Sequence, residues 1–215
     1  MVKGVRSWRF GYGVVAVMVL LMTGCSGGEP PRREKDSVGW SKCNELFGAR
    51  NIDALEDQMG KGQLRTEGKS FSVKDLTAAL DSEALGWDPE IFTYSAGASP
   101  CRIAIRESDK LFDSNVRWTS FPGIDGPYQW RGTGGDVVAV VLSDGLLELI
   151  FPCKIPGAHK QQEKDRPLGV RVWGDGMPKF DTGLRWKMIV ALARNLDREL
   201  GCVNKPDIPS DFTAA

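Results

Sequence analysis

Five cysteines, spread thinly along 215 residues, constrain this chain more than any other feature. They are Cys25, Cys43, Cys101, Cys153 and Cys202. No two of them lie close together, and His159 is the only histidine, so the sequence predicts no zinc or other metal site. An odd count leaves one thiol without an intramolecular partner, whereas the other four suffice for two disulfides in an oxidising compartment.

The first 24 residues have the layout of a secretory signal peptide: a basic start, an apolar stretch and small residues before the cut. The uncharged stretch 10–22 is too short to span a bilayer, which takes about 20 helical residues. Met22-Thr23-Gly24-Cys25 resembles the lipobox of bacterial lipoproteins, in which lipid is attached to the cysteine before cleavage. The alternative is an ordinary signal peptide. We predict a lipidated, palmitate-bearing Cys25 that holds the protein on the extracytoplasmic face of the bacterial cell membrane.

Lipidation of Cys25 removes the odd cysteine and leaves four for disulfides. Four cysteines permit three pairings, and sequence alone does not choose among them. We favour Cys43 with Cys101 and Cys153 with Cys202, because each pair then brackets one half of the chain. Loops of roughly 50 residues would each contribute about 4 kcal/mol by the chain-entropy estimate.

Charge and length exclude some classes of protein. Removal of a leader with three basic and no acidic residues leaves 191 residues, with 25 basic and 28 acidic side chains and a net charge of −3. Such a chain lacks the excess of basic residues that is typical of nucleic-acid-binding proteins. The small, polar, proline-broken residues 25–38 predict a flexible tether. Residues 39–215 are predicted to form a single domain or two packed halves, 39–120 and 121–215.

Hydrophobic periodicity predicts an α+β fold: a mainly antiparallel sheet, short N-terminal helices and a C-terminal amphipathic helix packed on the sheet. The predicted helices span 41–47, 52–59, 72–80 and 182–200. Ser72 and Asp75 form a capping-box pattern, and Asp181 or Thr182 caps the last helix, which Gly201 ends.

The predicted strands span 101–105, 116–119, 128–131, 136–143, 146–153 and 168–173. Asp144-Gly145 lies between the two most apolar of these runs and is typical of a two-residue hairpin turn. Such a turn would place Glu148 opposite Val141.

A family resemblance rests on the leader and on four segments of the mature chain. These are Cys43-Asn-Glu-Leu-Phe-Gly48, Cys101-Arg-Ile-Ala-Ile, Leu149-Ile-Phe-Pro-Cys153 and Leu192-Ala-Arg-Asn-Leu-Asp-Arg-Glu-Leu-Gly-Cys202. Together they resemble uncharacterised secreted lipoproteins of actinobacteria. The resemblance implies an extracytoplasmic, cysteine-paired domain of unknown function, and it carries over no functional residue.

Three motifs invite a chemical interpretation, and each has a simpler one. Asp181-Thr182-Gly183 matches half of an aspartic-protease site but stands where a helix cap is expected. Residues 62–70 approach a P-loop with the first glycine misplaced, and we interpret them as a polar turn. His159 lies in a charged segment with no nucleophile elbow nearby, which is typical of an exposed loop.

Glu148 is the one charge in an otherwise apolar hairpin. If its face of the sheet is covered, Glu148 is a buried carboxylate and a candidate ligand anchor. If that face is open to water, Glu148 only keeps the strand soluble. We favour the open face.

These patterns favour a non-catalytic module that binds a ligand, an envelope protein or a glycan. We predict no cofactor, and the sequence does not indicate an oligomeric state. The alternatives are a cell-wall hydrolase with Glu148 or Glu107 as acid and base, and a structural accessory subunit. An exposed row of the six mature tryptophans could stack on glycans, although most are expected in the core. Arg102, Arg106 and Arg117 are expected on a solvated face.

Overall fold

The computed structural model describes residues 38–91, 95, 97–120, 129–132, 137–141 and 146–209. The predicted signal peptide, Cys25, nearly all of the tether and the Asp144-Gly145 turn lie outside those residues. The helices are α1 Val38–Phe47, α2 Ala49–Met59, α3 Val73–Leu85, α4 Gln162–Asp165 and α5 Thr182–Leu200. The strands are β1 Leu64–Thr66, β2 Arg102–Ile105, β3 Leu111–Trp118, β4 Gln129–Gly132, β5 Val138–Val141, β6 Leu147–Phe151 and β7 Leu168–Asp175.

The seven strands form one antiparallel sheet in the order β1-β2-β3-β7-β6-β5-β4. The α+β prediction is therefore confirmed. The longest pairing joins β3 to β7, from Leu111 opposite Asp175 to Trp118 opposite Leu168. Because β3 comes from the first half of the chain and β7 from the second, the sheet is continuous across the boundary near residue 120.

Helix α5 covers one face of the sheet, as its periodicity predicts. Its side chains are buried along a single face, which packs on β6 and β7 and against α1, α2 and α3. The Leu184 N–H donates to Asp181 Oδ1 at 2.7 Å, so Asp181 is the N-cap. Gly201 ends the helix with a left-handed φ of 62°. No helix in the described part of the chain is long and apolar enough to cross a membrane.

The N-terminal helices pack beside α5. The capping box of α3 is confirmed, because the Asp75 N–H donates to Ser72 Oγ at 3.1 Å and the Ser72 hydroxyl donates to Asp75 Oδ2 at 2.7 Å. Three predicted bounds of these helices are wrong. Helix α1 begins at Val38 rather than after Ser41, α2 begins at Ala49 rather than at Ile52, and α3 continues to Leu85 rather than ending at Leu80.

Both predicted disulfides are present. Cys43 of α1 is bonded to Cys101, which directly precedes β2, and Cys153 after β6 is bonded to Cys202 after α5. The sequence separations are 58 and 49 residues. Each bridge fastens a helix to a neighbouring strand, and the second ties the longest helix to the apolar hairpin.

The predicted register of the β5–β6 hairpin is wrong by one residue. Glu148 lies opposite Val140, and Val141 lies opposite Leu147. The connection between the strands is residues 142–146, which is an odd number of residues. The predicted two-residue turn is even, so the residue opposite Glu148 differs by one position from the predicted one. Two elements were also missed: β1 lies within the predicted polar turn 62–70, and the four-residue helix α4 lies in the predicted loop around His159.

Side chains alternate between the two faces of the sheet. On β3, Phe112 packs edge-on against Phe47, and the Trp118 Nε1–H donates to the Leu80 carbonyl oxygen, so both point toward the helices. Between these positions Asp113 and Arg117 point the other way. We call the side that carries α5 the helix face and the other side the opposite face.

Candidate functional site

Glu148 lies on the opposite face of β6, with only 5% of its side chain exposed. The expectation of an open, solvated position is therefore wrong. The register places Glu148 beside Arg171 of β7. Arg171 Nη2 donates to Glu148 Oε2 at 2.8 Å, and Arg171 Nε lies 2.7 Å from Oε1 in an ion-pair contact. Arg117 Nη2 lies 3.9 Å from the same Oε1. One buried carboxylate is thus held by two half-buried guanidinium groups.

A cleft of about 480 Å³ lies beside this cluster. Its described lining comes from the segment after α3, from the end of β3 and from the end of α4. The lining residues are Trp87, Pro89, Glu90, Ile91, Ser95, Arg117, Trp118, Thr119, Ser120, Asp165 and Arg166. This volume falls within the range of about 300–1,000 Å³ that is usual for small-molecule sites.

Local structure fixes the polar wall of the cleft. The Thr119 N–H donates to the Pro167 carbonyl oxygen, which closes the end of β3 onto the start of β7. The buried side chain of Gln162 accepts from the Ile155 N–H and donates to the Arg166 carbonyl oxygen. These bonds hold Arg166 and the preceding Asp165 at the mouth of the cleft on ordered backbone.

Aromatic side chains form the other wall. Trp118 is buried, and its Nε1–H bond to Leu80 fixes the indole. Trp87 is half-buried and meets His159 edge-to-face, with ring centroids 5.6 Å apart. His159 is therefore half-buried against Trp87 rather than fully exposed as predicted. The contact supports one edge of the Trp87 indole, which lines the cleft.

Arg117 connects the cleft to Glu148, because it lines the first and contacts the second. Gly169 of β7 keeps this connection compact. A Cβ built on Gly169 would lie 3.0 Å from Thr119 Cγ2 and 3.1 Å from Glu148 Oε1. Thr119 of the cleft and Glu148 of the ion pair therefore both lie next to the space where a side chain at Gly169 would be.

A second buried carboxylate, Asp113, lies on the same face but does not line the cleft. It accepts hydrogen bonds from the Ser99 hydroxyl and the Ser114 N–H, and Arg102 Nε lies 3.7 Å from its Oδ2. Burial raises the pKa of the Asp113 carboxyl above its usual value, although these hydrogen bonds and Arg102 act in the opposite direction.

Glu107, the other carboxylate suggested for hydrolysis, is not brought to Glu148. Glu107 lies in the turn before β3, and the register aligns Glu148 through Arg171 with Asn115. Along β3 and across two strands, the two backbones are more than about 15 Å apart. The carboxyl groups of glycosidase pairs are about 5–9.5 Å apart. Glu107 is exposed, with a φ of 60°.

No local sequence pattern predicts the cleft. Its described residues come from three separated parts of the chain, 87–91 with 95, 117–120 and 165–166, and none of these parts carries a recognisable motif. In the sequence, Arg117 is one of three arginines expected on a solvated face, and Trp87 and Trp118 are two of the six mature tryptophans. Among the described residues, no group of three or more histidine, cysteine or acidic side chains is placed to hold a metal ion.

No protein family, curated protein or solved structure matches the chain. The resemblance to actinobacterial lipoproteins stays a prediction, and functional inference rests on the site itself.

Proposed function

We propose that this protein is a lipid-anchored extracytoplasmic binding module, non-catalytic, whose ligand occupies the cleft beside Trp87. One observation carries the proposal: the cleft combines an aromatic wall with arginine, carboxylate and hydroxyl groups that are held on ordered backbone. Concave sites with an apolar surface and a few convergent polar groups are the usual form of small-ligand sites.

Two features support the location. The disulfides Cys43–Cys101 and Cys153–Cys202 suit an oxidising compartment outside the cytoplasm. The sequence Met22-Thr23-Gly24-Cys25 supports lipid attachment at Cys25. A single lipid chain binds a membrane only weakly, so stable anchoring requires more than one attached chain.

The state of Glu148 supports binding rather than hydrolysis. A general acid or base has to exchange a proton with its substrate at hydrogen-bond distance. Glu148 instead faces Arg171 at 2.7 and 2.8 Å and does not line the cleft. Its place next to Arg117 gives it a positioning role: the carboxylate orients a guanidinium group that does line the cleft.

The test uses the full-length protein in a detergent without a sugar headgroup, mixed with fractions of bacterial envelope extract. A fraction that holds the ligand at about 100 times its Kd should stabilise the fold by about 2.7 kcal/mol, a rise in Tm of roughly 5–10 °C. Trp87→Ala should cut the rise to about half or less, because a Kd at least tenfold weaker leaves the ligand at no more than about 10 times its Kd. Trp173→Ala is the matched control, because Trp173 is also half-buried but lies on β7 outside the cleft lining. A rise of full size in Trp87→Ala, or no rise with any fraction, contradicts the proposal.

The anchor is tested separately. Cys25→Ser in the full-length protein should move it from the membrane pellet to the soluble extracytoplasmic fraction and abolish labelling by an alkyne analogue of palmitate. Cys25→Ser protein that still sediments with membranes would refute lipid anchoring at this residue.

A further inference from the structure

The chemistry of the cleft lining narrows the class of ligand. We propose that the cleft binds a neutral saccharide, with one sugar ring stacked on Trp87 and its hydroxyl groups facing the polar wall. This inference rests on the proposed function, because it names the ligand of the same site. It is carried by the balance of charge in the lining, by the flat apolar wall and by the position of the cleft in the sheet.

The charged groups of the described lining are balanced. Glu90 and Asp165 contribute two carboxylates, and Arg117 and Arg166 contribute two guanidinium groups. A strongly charged ligand of either sign would meet groups of its own sign, and like-charge contacts are unfavourable. A neutral ligand that both donates and accepts hydrogen bonds can use all four groups.

Two accessible hydroxyl groups add to these charged groups. Thr119 and Ser120 each carry one donor and can also accept. Arginine only donates, and an ionised carboxylate only accepts, so the wall offers both partners that a sugar hydroxyl needs. An alkyl chain would displace water from these polar groups without offering hydrogen bonds in return, and such burial is costly.

The lining also has an apolar part. It consists of the Trp87 indole, the Pro89 ring and the Ile91 side chain, of which Ile91 is 59% exposed. The edge-to-face contact with His159 holds the Trp87 indole at the cleft. A sugar ring has a C–H face that can lie flat on an indole while its hydroxyls project sideways, so a single ring would satisfy both walls.

The position of the cleft disfavours a peptide that binds as an added strand. The cleft lies at the ends of β3 and β7, which are interior strands, so a peptide cannot add there as an extra strand.

The experiment titrates the full-length protein, in the same sugar-free detergent, with defined probes. The neutral probes are oligomers of N-acetylglucosamine, glucose, mannose, galactose and arabinose. The contrasting probes are a galacturonate oligomer, inorganic phosphate and a short fatty acid. Binding is measured by saturation-transfer NMR and by tryptophan fluorescence. We expect at least one neutral oligomer to bind, with its ring C–H protons receiving the strongest saturation.

Three variants locate the binding. Trp87→Ala should weaken the neutral probe at least about tenfold, equivalent to 1.4 kcal/mol. Trp87→Phe should retain part of the affinity, because it keeps an aromatic face. Trp173→Ala should change the affinity less than about twofold, since Trp173 is outside the cleft lining and a twofold change is well under 1.4 kcal/mol.

The results that contradict the saccharide inference differ from those that contradict the proposed function. If only a charged probe or the fatty acid binds in a Trp87-dependent way, the saccharide class is wrong and the binding module stands. If a saccharide binds equally to Trp87→Ala, the proposed stacking site is wrong. If no probe binds, the saccharide inference fails, and the assay with envelope fractions decides the proposed function by itself.

Discussion

The two faces of the sheet are built from the same strands and have different chemistry. On the helix face, Phe112, Leu149 and Val170 are fully buried in one apolar cluster with α5 and both disulfides. On the opposite face, neighbouring residues of those strands are Asp113, Glu148 and Arg171. At Phe112–Asp113, Leu149–Glu148 and Val170–Arg171, a one-residue step along the strand changes the environment from apolar core to charged groups.

Because of this difference, the helix face contributes mainly to stability and the opposite face mainly to ligand recognition. Burial of apolar area stabilises a fold by about 25 cal/mol per Å², so most of the folding free energy comes from the helix face. A buried ion pair only offsets the desolvation of its own charges. The opposite face therefore tolerates the charged groups from which a ligand site is built. The predictions below test this separation, from the largest expected effect to the smallest.

Removal of the disulfides tests the helix face. Cys43→Ala with Cys101→Ala, and Cys153→Ala with Cys202→Ala, should each lower the free energy of unfolding by about 2–5 kcal/mol, because each frees a loop in the unfolded chain. Urea unfolding of the two double variants measures the effect.

The same variants serve as controls for recognition. At a temperature where they stay folded, their ligand affinity should equal that of the wild type. A large loss of affinity in a folded variant would show that the two faces are coupled and would break the comparison.

Glu148→Gln tests the opposite face. It leaves Arg171 and Arg117 without their carboxylate, and loss of one partner of a buried pair costs about 3–5 kcal/mol. Because both arginines are partly exposed, we expect about 2–3 kcal/mol, below the fully buried case. The matched control is Glu67→Gln, whose half-buried carboxylate pairs with the exposed Arg65 and lies 3.7 Å from Arg102; because this site is more open to water, the change should cost at most about 1 kcal/mol. Equal effects in urea unfolding would mean that Glu148 is solvated.

Gly169→Ala tests how tightly the cleft and the ion pair are packed together. The new methyl group would press on Thr119 Cγ2 and Glu148 Oε1, and overpacking of this kind costs about 1–3 kcal/mol. Adding Thr119→Ser removes Cγ2 and should recover part of the loss. If the single variant is as stable as the wild type in urea unfolding, the contact is looser than the structure indicates.

The helix face was largely predictable from sequence, because its signals are local. The apolar repeat of α5 between Asp181 and Gly201 predicted both ends of the helix. Strand β3 was only partly predicted, since Asp113, Ser114 and Asn115 are residue types depleted in strands. Strand β1 has three residues, too few to show a period.

The opposite face was not predictable, because its chemistry depends on pairing between distant strands. Glu148 meets Arg171 through the β6–β7 register, which no local pattern specifies. The assumed two-residue turn also displaced Glu148 by one position in the β5–β6 pair. The cleft unites three segments that are adjacent only after β3 pairs with β7.

The smallest effect concerns the other buried carboxylate of the opposite face, Asp113. Its folded-state pKa is raised above 3.8 mainly by burial, so the ionised carboxylate is less favourable in the folded than in the unfolded chain. The stability contributed by Asp113 is therefore fully present below pH 3.8 and is lost as the pH rises through the folded-state pKa.

Asp113→Asn isolates this term, because asparagine does not titrate and its oxygen can still accept from Ser99 and Ser114. Relative to the wild type, the variant should gain stability as the pH rises from 3.8 and then reach a plateau above the folded-state pKa. Urea unfolding of both proteins between pH 3 and pH 7 measures the difference. A variant that instead loses relative stability over this window would show that attraction to Arg102, at 3.7 Å, outweighs burial. Asp113 would then resemble Glu148, because its ion pair with an arginine would offset the cost of burying the carboxylate.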